Sequence, residues 1–141
     1  MSFKNFYLEE ENVKNDILYH TTLLSNLPKI LQQGIKVQKK NRLSGGAIGQ
    51  DIRAAIAVFA FENLEDAQRW AFKTEWDTKE KSVIIPFKAN KSEWTLDTHW
   101  EAQLGKGKWL YLKQDIPPED ILKDDIIYPT PDTWKELAKS L

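Results

Sequence analysis

Residues 18–35 read LYHTTLLSNLPKILQQGI, and this stretch predicts a strand that leads into a helix. The strand is the apolar run that ends at His20. Ser25 offers a side-chain oxygen for the start of the helix, and Gly34 is typical of the position just after a helix ends. Between them, apolar residues recur at helical spacing, at Leu27, Ile30 and Leu31. A histidine and two threonines therefore stand between a strand and a helix.

The rest of the chain predicts further strands and two further helices. The predicted strands are AIAVFAF (55–61), SVIIPFK (82–88), KWLYLK (108–113) and a short one at 126–128. Pro86 indicates an edge strand or a bulge. Asn63 is placed to cap the helix LEDAQRWAFKTEW, which has an apolar stripe, and a last helix starts near Pro131. Residues 36–52 are polar and contain glycine, which predicts a long loop. This order indicates an α+β fold with a curved, mainly antiparallel sheet and flanking helices.

The composition is that of an ordinary globular protein, with 41% hydrophobic residues, 29% charged residues and a net charge of −1. The 141 residues suffice for a single domain, which we place at residues 16–141 after an N-terminal arm at residues 1–15. The absence of cysteine excludes disulfides and thiol catalysis and fits a cytoplasmic protein. We expect no signal peptide, because the N-terminus is acidic and lacks the order of a basic stretch followed by an apolar one. We also expect no membrane partner, because no apolar run approaches the length of a membrane span.

Positive charge is concentrated in the predicted loop after the first helix. KVQKKNRL carries Lys36, Lys39, Lys40 and Arg42 within one short stretch. A basic loop of this kind can hold phosphate groups even in a neutral protein. The alternative, which these residues leave equally open, is a solvated surface loop.

Four segments together resemble the ADP-ribosyltransferase superfamily. In that family a strand ends in a histidine followed by a small or hydroxyl residue, and a helix then runs to a glycine, as in LYHTTLLSNLPKILQQGI. The other segments, in the family's order, are VFAFENLEDAQRWAF, VIIPFKANKSEWTLD and KWLYLKQDIPPEDI. The first segment is most similar to toxins that ADP-ribosylate DNA, and it also resembles the RNA 2′-phosphotransferases. The resemblance implies a single ADP-ribosyltransferase-like domain with a split sheet.

The resemblance also implies a ligand and roles for particular residues. The protein would bind NAD as its substrate and transfer ADP-ribose to a macromolecular acceptor, either nucleic acid or protein. His20 would hydrogen-bond the ribose, and the backbone of Thr21 would hold the nicotinamide amide. Thr22 would support either His20 or the ribose. Phe59 would stack on nicotinamide. The arginines that would face the pyrophosphate, which suits their forked donors, are Arg42 and Arg53.

The catalytic carboxylate is the part of this site that departs from the family pattern. Breaking the bond to nicotinamide requires a carboxylate near the ribose, together with donors on the phosphates. The family places its glutamate at the start of the penultimate strand, where this chain has Lys108 and Trp109. The nearest candidate is Glu101, in DTHWEAQ, which would reach the site if LGKGK forms a long loop. Glu101 and Arg53 are therefore our candidate catalytic residues, and for Glu101 the alternative of a surface residue is equally open.

Several other readings remain open. His20 alone could be a structural histidine, and the whole domain could be a catalytically degenerate binding module that acts as an inhibitor or adaptor, for instance in phage–host or toxin systems. RNA phosphotransfer ranks lower, because the chain has few arginines for it. A two-histidine phosphoesterase ranks lower too, because His99 is not followed by a hydroxyl residue two positions on. The two histidines lack the spacing of a metal site, so we predict no metal.

Overall fold

The structure, a computed structural model, describes residues 14–37, 57–98 and 100–139, and its fold is α+β with an antiparallel sheet. The strands are β1 (Asp16–Leu23), β2 (Val58–Phe61), β3 (Ser82–Ala89), β4 (Thr95–Leu96) and β5 (Trp109–Leu112). The α-helices are α1 (Leu27–Gln33), α2 (Leu64–Thr78) and α3 (Pro131–Lys139). The strand order is β3-β1-β2-β5-β4, and each neighbouring pair is antiparallel. Within the described ranges, no helix is both long and apolar enough to cross a bilayer.

Each face of the sheet has its own hydrophobic cluster, because side chains alternate along a strand. The first cluster joins the sheet to α1, and its buried members include Leu18, Ile30, Ile85, Phe87 and Leu110. The second cluster joins the opposite face to α2, and its buried members are Phe61, Ala67, Ala71 and Ile84. The sheet therefore forms the middle layer of the fold.

Helix α2 begins at the predicted residue, because Asn63 caps it. The side-chain oxygen of Asn63 accepts hydrogen bonds from the backbone N–H groups of Glu65 at 2.8 Å and Asp66 at 3.3 Å. These N–H groups have no partner inside the helix, so the cap satisfies them. Ala67 and Ala71 are completely buried and allow the helix to approach the sheet closely.

Helix α1 starts later than the sequence predicts, and its predicted cap is wrong. Ser25 lies inside a short 3₁₀ turn, and Asn26 occupies the N-cap position without a side-chain capping bond. The 3₁₀ turn satisfies the chain there with its own backbone bonds, which leaves no role for Ser25 as a cap. Gly34 ends the helix as predicted, with φ at +84°. A Cβ atom at Gly34 would lie 2.0 Å from the carbonyl oxygen of Ile116, so only glycine fits.

The strand predictions hold in the middle of the strands and differ at the ends. The first strand does not end at His20: it runs on to Leu23, because β3 pairs with it along its whole length, so Thr21 and Thr22 lie inside the strand. Pro86 lies in β3, which is an edge strand of the sheet as the proline indicated. Residues 126–128 do not form the predicted strand: Ile127 makes one isolated bridge, to Ile84. Pro129 follows directly and lacks the N–H that a longer ladder would need. Residues 1–13 of the N-terminal arm and most of the loop predicted at 36–52 lie outside the described residues.

Candidate functional site

The sheet is nearly divided between β1 and β2. Strand β1 is registered with β3 at every position from Asp16 to Leu23, and β2 is registered with β5 along its whole length. Between β1 and β2, however, one registered pair is formed, Tyr19 with Phe61. The two half-sheets β3-β1 and β2-β5-β4 therefore separate beyond this pair. We call the resulting gap the split.

The backbone of Thr21 faces the split. Ile84 is the register partner of Thr21 in β3, but its N–H and carbonyl exchange hydrogen bonds of 2.9 Å with Ile127, on the outer side of β3. Thr21 and Ile84 are therefore a non-hydrogen-bonded pair. In an antiparallel ladder the two residues of such a pair turn their backbone N–H and carbonyl groups away from each other. The N–H and carbonyl of Thr21 therefore point toward β2. Thr21 and Phe59 would form the next hydrogen-bonded pair after Tyr19 and Phe61, but the registered ladder does not extend to them.

The His20 ring binds the backbone carbonyl that would accept a hydrogen bond from β1 if the β1–β2 ladder continued. Its Nδ1 lies 2.7 Å from the backbone carbonyl oxygen of Phe59. A carbonyl can only accept, so Nδ1 carries the proton and donates. In the neutral ring Nε2 is then an acceptor, suited to a hydroxyl donor. Burial lowers the pKa of His20 from its ordinary value of 6.5, and the hydrogen bond to Phe59 opposes this only partly, so the ring is neutral at pH 7.

The two threonine side chains point to opposite sides of β1. The hydroxyl of Thr21 donates to the carbonyl of Ala67 in α2 at 3.1 Å, which fixes β1 against that helix. The hydroxyl of Thr22 accepts a 2.9 Å hydrogen bond from the side chain of Asn26. Because side chains alternate along a strand, His20 and Thr22 share the side of β1 away from α2. The backbone, not the side chain, of Thr21 is thus what the split can offer a ligand.

Phe59 contributes to the split mainly through its carbonyl. Its ring packs against the ring of Tyr111, with centroids 5.9 Å apart, and the side chain is partly buried. Its role as a surface for nicotinamide stays a prediction. Arg42 and Arg53, the predicted pyrophosphate ligands, lie outside the described residues, and so does His99.

Glu101 lies against α2. It belongs to a 3₁₀ turn, Trp100–Leu104, and its carboxylate is 3.4 Å from the Nζ of Lys73. It lines an open cleft between α2 and the start of β5. In the described part of the chain no contact joins Glu101 to His20. The catalytic role of Glu101 stays a prediction, and the fold does not bring its carboxylate to the His20 ring.

The start of β5, where the family resemblance implies a glutamate, is occupied by Trp109 within an aromatic cluster. The Trp109 ring packs edge-on against Phe61, with centroids 5.1 Å apart, and against Trp70 at 5.8 Å. The indole N–H of Trp109 donates to Asp66 at 3.3 Å. This position therefore has a packing role in the second hydrophobic cluster.

Asp66 is a buried carboxylate that the sequence reasoning missed. It is 2% exposed, and it accepts hydrogen bonds from the backbone N–H groups of Lys106 at 2.9 Å and Gly107 at 3.0 Å, besides Trp109. It thereby holds the LGKGK turn against the first turn of α2. An aspartate in a first helical turn is ordinary in sequence, so nothing local distinguished it.

A solved structure titled EcPltA has a similar fold, with a TM-score of 0.53 and 12% sequence identity. The similarity covers 82% of this chain and 83% of that chain. At so low an identity it shows a shared fold alone. No protein-family model matches the sequence, and no curated protein matches it either.

Proposed function

We propose that the protein is an ADP-ribosyltransferase-like protein that binds NAD at the split. The observation that carries the proposal is the end of the β1–β2 ladder at Tyr19 and Phe61, with His20 bonded to the carbonyl of Phe59. A sheet that opens in this way exposes backbone groups which would otherwise pair with each other. The fold shared with EcPltA is compatible with the proposal but supports the fold alone.

The groups at the split match the chemistry of a nicotinamide nucleotide. A carboxamide offers one carbonyl acceptor and two N–H donors, and the backbone of Thr21 turns one N–H and one carbonyl toward the gap. The neutral Nε2 of His20 is an acceptor for a ribose hydroxyl. Since both groups lie on consecutive residues of one strand that β3 pairs throughout, they are held rigidly before a ligand arrives.

Transfer of ADP-ribose to a macromolecular acceptor is the activity we propose for this site, with Glu101 as its candidate carboxylate. A second candidate function is a binding module with a degenerate catalytic site, acting as an inhibitor or adaptor. Two observations favour this second candidate: Glu101 pairs with Lys73 on α2, and Trp109 fills the position where the resemblance implies a glutamate. The two candidates share the NAD site and differ in whether the nicotinamide bond is broken.

The first experiment tests NAD binding with two variants, each of which keeps one of the two hydrogen-bonding positions of the His20 ring. His20→Asn can still donate to the Phe59 carbonyl, because the asparagine amide lies where Nδ1 does, but it lacks Nε2. His20→Gln extends to the Nε2 position and lacks the Nδ1 donor. We expect calorimetric titration with NAD to show binding to the native protein and at least about a tenfold weaker binding to His20→Asn, a loss of about 1.4 kcal/mol. The exposed Tyr128→Ala serves as a control and should bind NAD as the native protein does.

The second experiment separates the two candidate functions. The protein is incubated with NAD labelled in the adenine ring and with mixed protein, DNA and RNA, and nicotinamide release is followed in parallel. Label on an acceptor that depends on Glu101, tested by Glu101→Gln, supports the transferase. Tight NAD binding without nicotinamide release supports the module. Absence of NAD binding to a folded native protein would refute both candidates.

A further inference from the structure

A second candidate binding site lies on the side of the sheet that α2 covers. An open cleft of about 190 Å³ runs between α2 and the turn before β5. Its lining includes Arg69, Trp70 and Lys73 from α2, and Glu101 and Trp109 from the opposite wall. The side chain of His20 projects from the other side of β1, so this cleft is separate from the split. Binding in the cleft does not require NAD at the split, although Glu101, the candidate carboxylate of the proposed transferase, lines it.

Arg69 is the least satisfied polar group in this cleft. Its Nε is buried and has no hydrogen-bond partner among the described residues. Its ion pair with Glu65 is long, 3.9 Å from Nη2 to the carboxylate, and Glu65 also pairs with Lys106. A guanidinium carries five N–H donors, and a buried donor without an acceptor is costly. The guanidinium of Arg69 is therefore incompletely paired among the described residues.

The carboxylates of the cleft are already engaged by other donors. Asp66 accepts three N–H groups, from Lys106, Gly107 and Trp109. Glu101 is paired with Lys73, whose Nζ also lies 4.8 Å from the centre of the Trp70 ring. Because Lys73 is 46% exposed in its side chain, it can turn to a ligand at the rim without being pulled from the core.

Two tryptophans, Trp70 and Trp109, line the cleft, and its volume suffices for one aromatic ring of a ligand. Trp70 and Trp109 meet edge-on with ring centroids 5.8 Å apart, and both are partly buried. A cavity of about 150 Å³ is enough to hold benzene. An indole surface accepts a planar ring by stacking, and two N–H donors of a guanidinium pair with the two oxygens of a carboxylate.

We propose that this cleft binds a small aromatic carboxylate, with its ring against Trp70 and Trp109 and its carboxylate on Arg69. The carboxylate pairs with the accessible part of the Arg69 guanidinium, whose side chain is 29% exposed, and the ring covers apolar surface that is now open to solvent. Lys73 adds a second cation at the rim.

Benzoate is the probe for the test, with acetate as the acid without a ring and benzyl alcohol as the ring without an acid. The indole N–H signals of the tryptophans in a ¹⁵N-correlated NMR spectrum report on the site. We expect benzoate to shift the signals of Trp70 and Trp109 in a saturable manner. Trp94 is buried in the cluster on the other face and should not shift. Binding of acetate and of benzyl alcohol should be at least about tenfold weaker, which is about 1.4 kcal/mol each.

A conservative variant tests the role of the arginine fork. Arg69→Lys keeps the positive charge and removes the paired donors, so benzoate should bind at least about tenfold more weakly. The matched control is Lys29→Ala, which removes an exposed positive charge on α1 and should bind benzoate as the native protein does. The proposal is overturned if up to about 20 mM benzoate, enough to saturate a site with a Kd near 1 mM, leaves the two signals unshifted. It is also overturned if acetate binds equally well or if Arg69→Lys has no effect.

Discussion

Replacing Asp66 with alanine should destabilise the protein more than any substitution of an exposed acidic residue. The side chain is 2% exposed and accepts three hydrogen bonds, two from backbone N–H groups of the LGKGK turn and one from the Trp109 indole. Removal leaves these donors in a packed turn without an acceptor. The turn packs closely on this side chain, since a Cβ at Gly105 would lie 2.7 Å from the Asp66 carboxylate.

The magnitude follows from the three bonds. A hydrogen bond to a charged acceptor contributes about 1.5–3 kcal/mol, which sets an upper limit of several kcal/mol for the set. The bond to Trp109 is long, at 3.3 Å, and the exposed side of the turn can recover water. We therefore expect Asp66→Ala to lose about 3–4 kcal/mol, and Asp66→Asn, which keeps one acceptor oxygen, to lose about 1–2 kcal/mol. Both are large beside a total stability of about 5–15 kcal/mol.

Urea unfolding followed by circular dichroism measures these losses, with Asp77→Ala on the exposed side of α2 as the control. The control should stay within about 0.5 kcal/mol of the native protein. In the NMR spectrum the Trp109 indole signal should shift in both Asp66 variants and not in the control. If Asp66→Ala loses less than about 1 kcal/mol and leaves the Trp109 signal in place, the turn does not depend on Asp66 and the reasoning fails.

Three further predictions concern local features. Gly34→Ala should cost about 2 kcal/mol or more in urea unfolding, because φ of +84° and contact with the Ile116 carbonyl exclude a Cβ; a loss below about 0.5 kcal/mol would contradict this. Asn63→Ala should cost about 1 kcal/mol in the same assay and Asn63→Asp much less, since aspartate also caps; equal losses would count against the cap. Burial lowers the pKa of His20, so its contribution to stability is present above pH 6.5 and is lost as the pH falls below 6.5 toward the lower folded-state pKa, by at most about 1.4 kcal/mol per pH unit. Unfolding at several pH values should show this slope in the native protein and not in His20→Asn, and an equal slope in both would refute it.

The sequence predicted those parts of the fold that depend on local chemistry. Asn63 and the stripe behind it define α2, and Gly34 ends α1, because caps and helix periodicity act within a few residues. The start of α1 was misplaced, since Ser25 and Asn26 are equally good caps in sequence. The short strand β4, Thr95–Leu96, is exposed on both residues, so it carries no alternating pattern and exists only through its pairing with β5.

For the candidate site, too, features set by neighbouring residues could be predicted and contacts between distant residues could not. That His20 ends a short apolar run could be read from its neighbours, and the resemblance gave it a ligand. The contact between Lys73 and Glu101, and the burial of Asp66 under the turn, bring together residues from distant parts of the chain. Single-sequence patterns do not report such contacts, because no local period or cap changes when they form.

The position of β1 in the sheet has a consequence for the order of events during synthesis. Strand β1 is made before the other strands, yet both of its neighbours, β2 and β3, come later in the chain. Its main partner, β3, ends at Ala89, so at about 5–20 residues per second a ribosome needs several seconds to deliver it after β1. During this time the strand that carries His20 lacks its main partner, because β2, which is made earlier, is registered with it at one pair alone. A nascent chain halted before β3 should therefore be the form of this protein that a chaperone binds most readily.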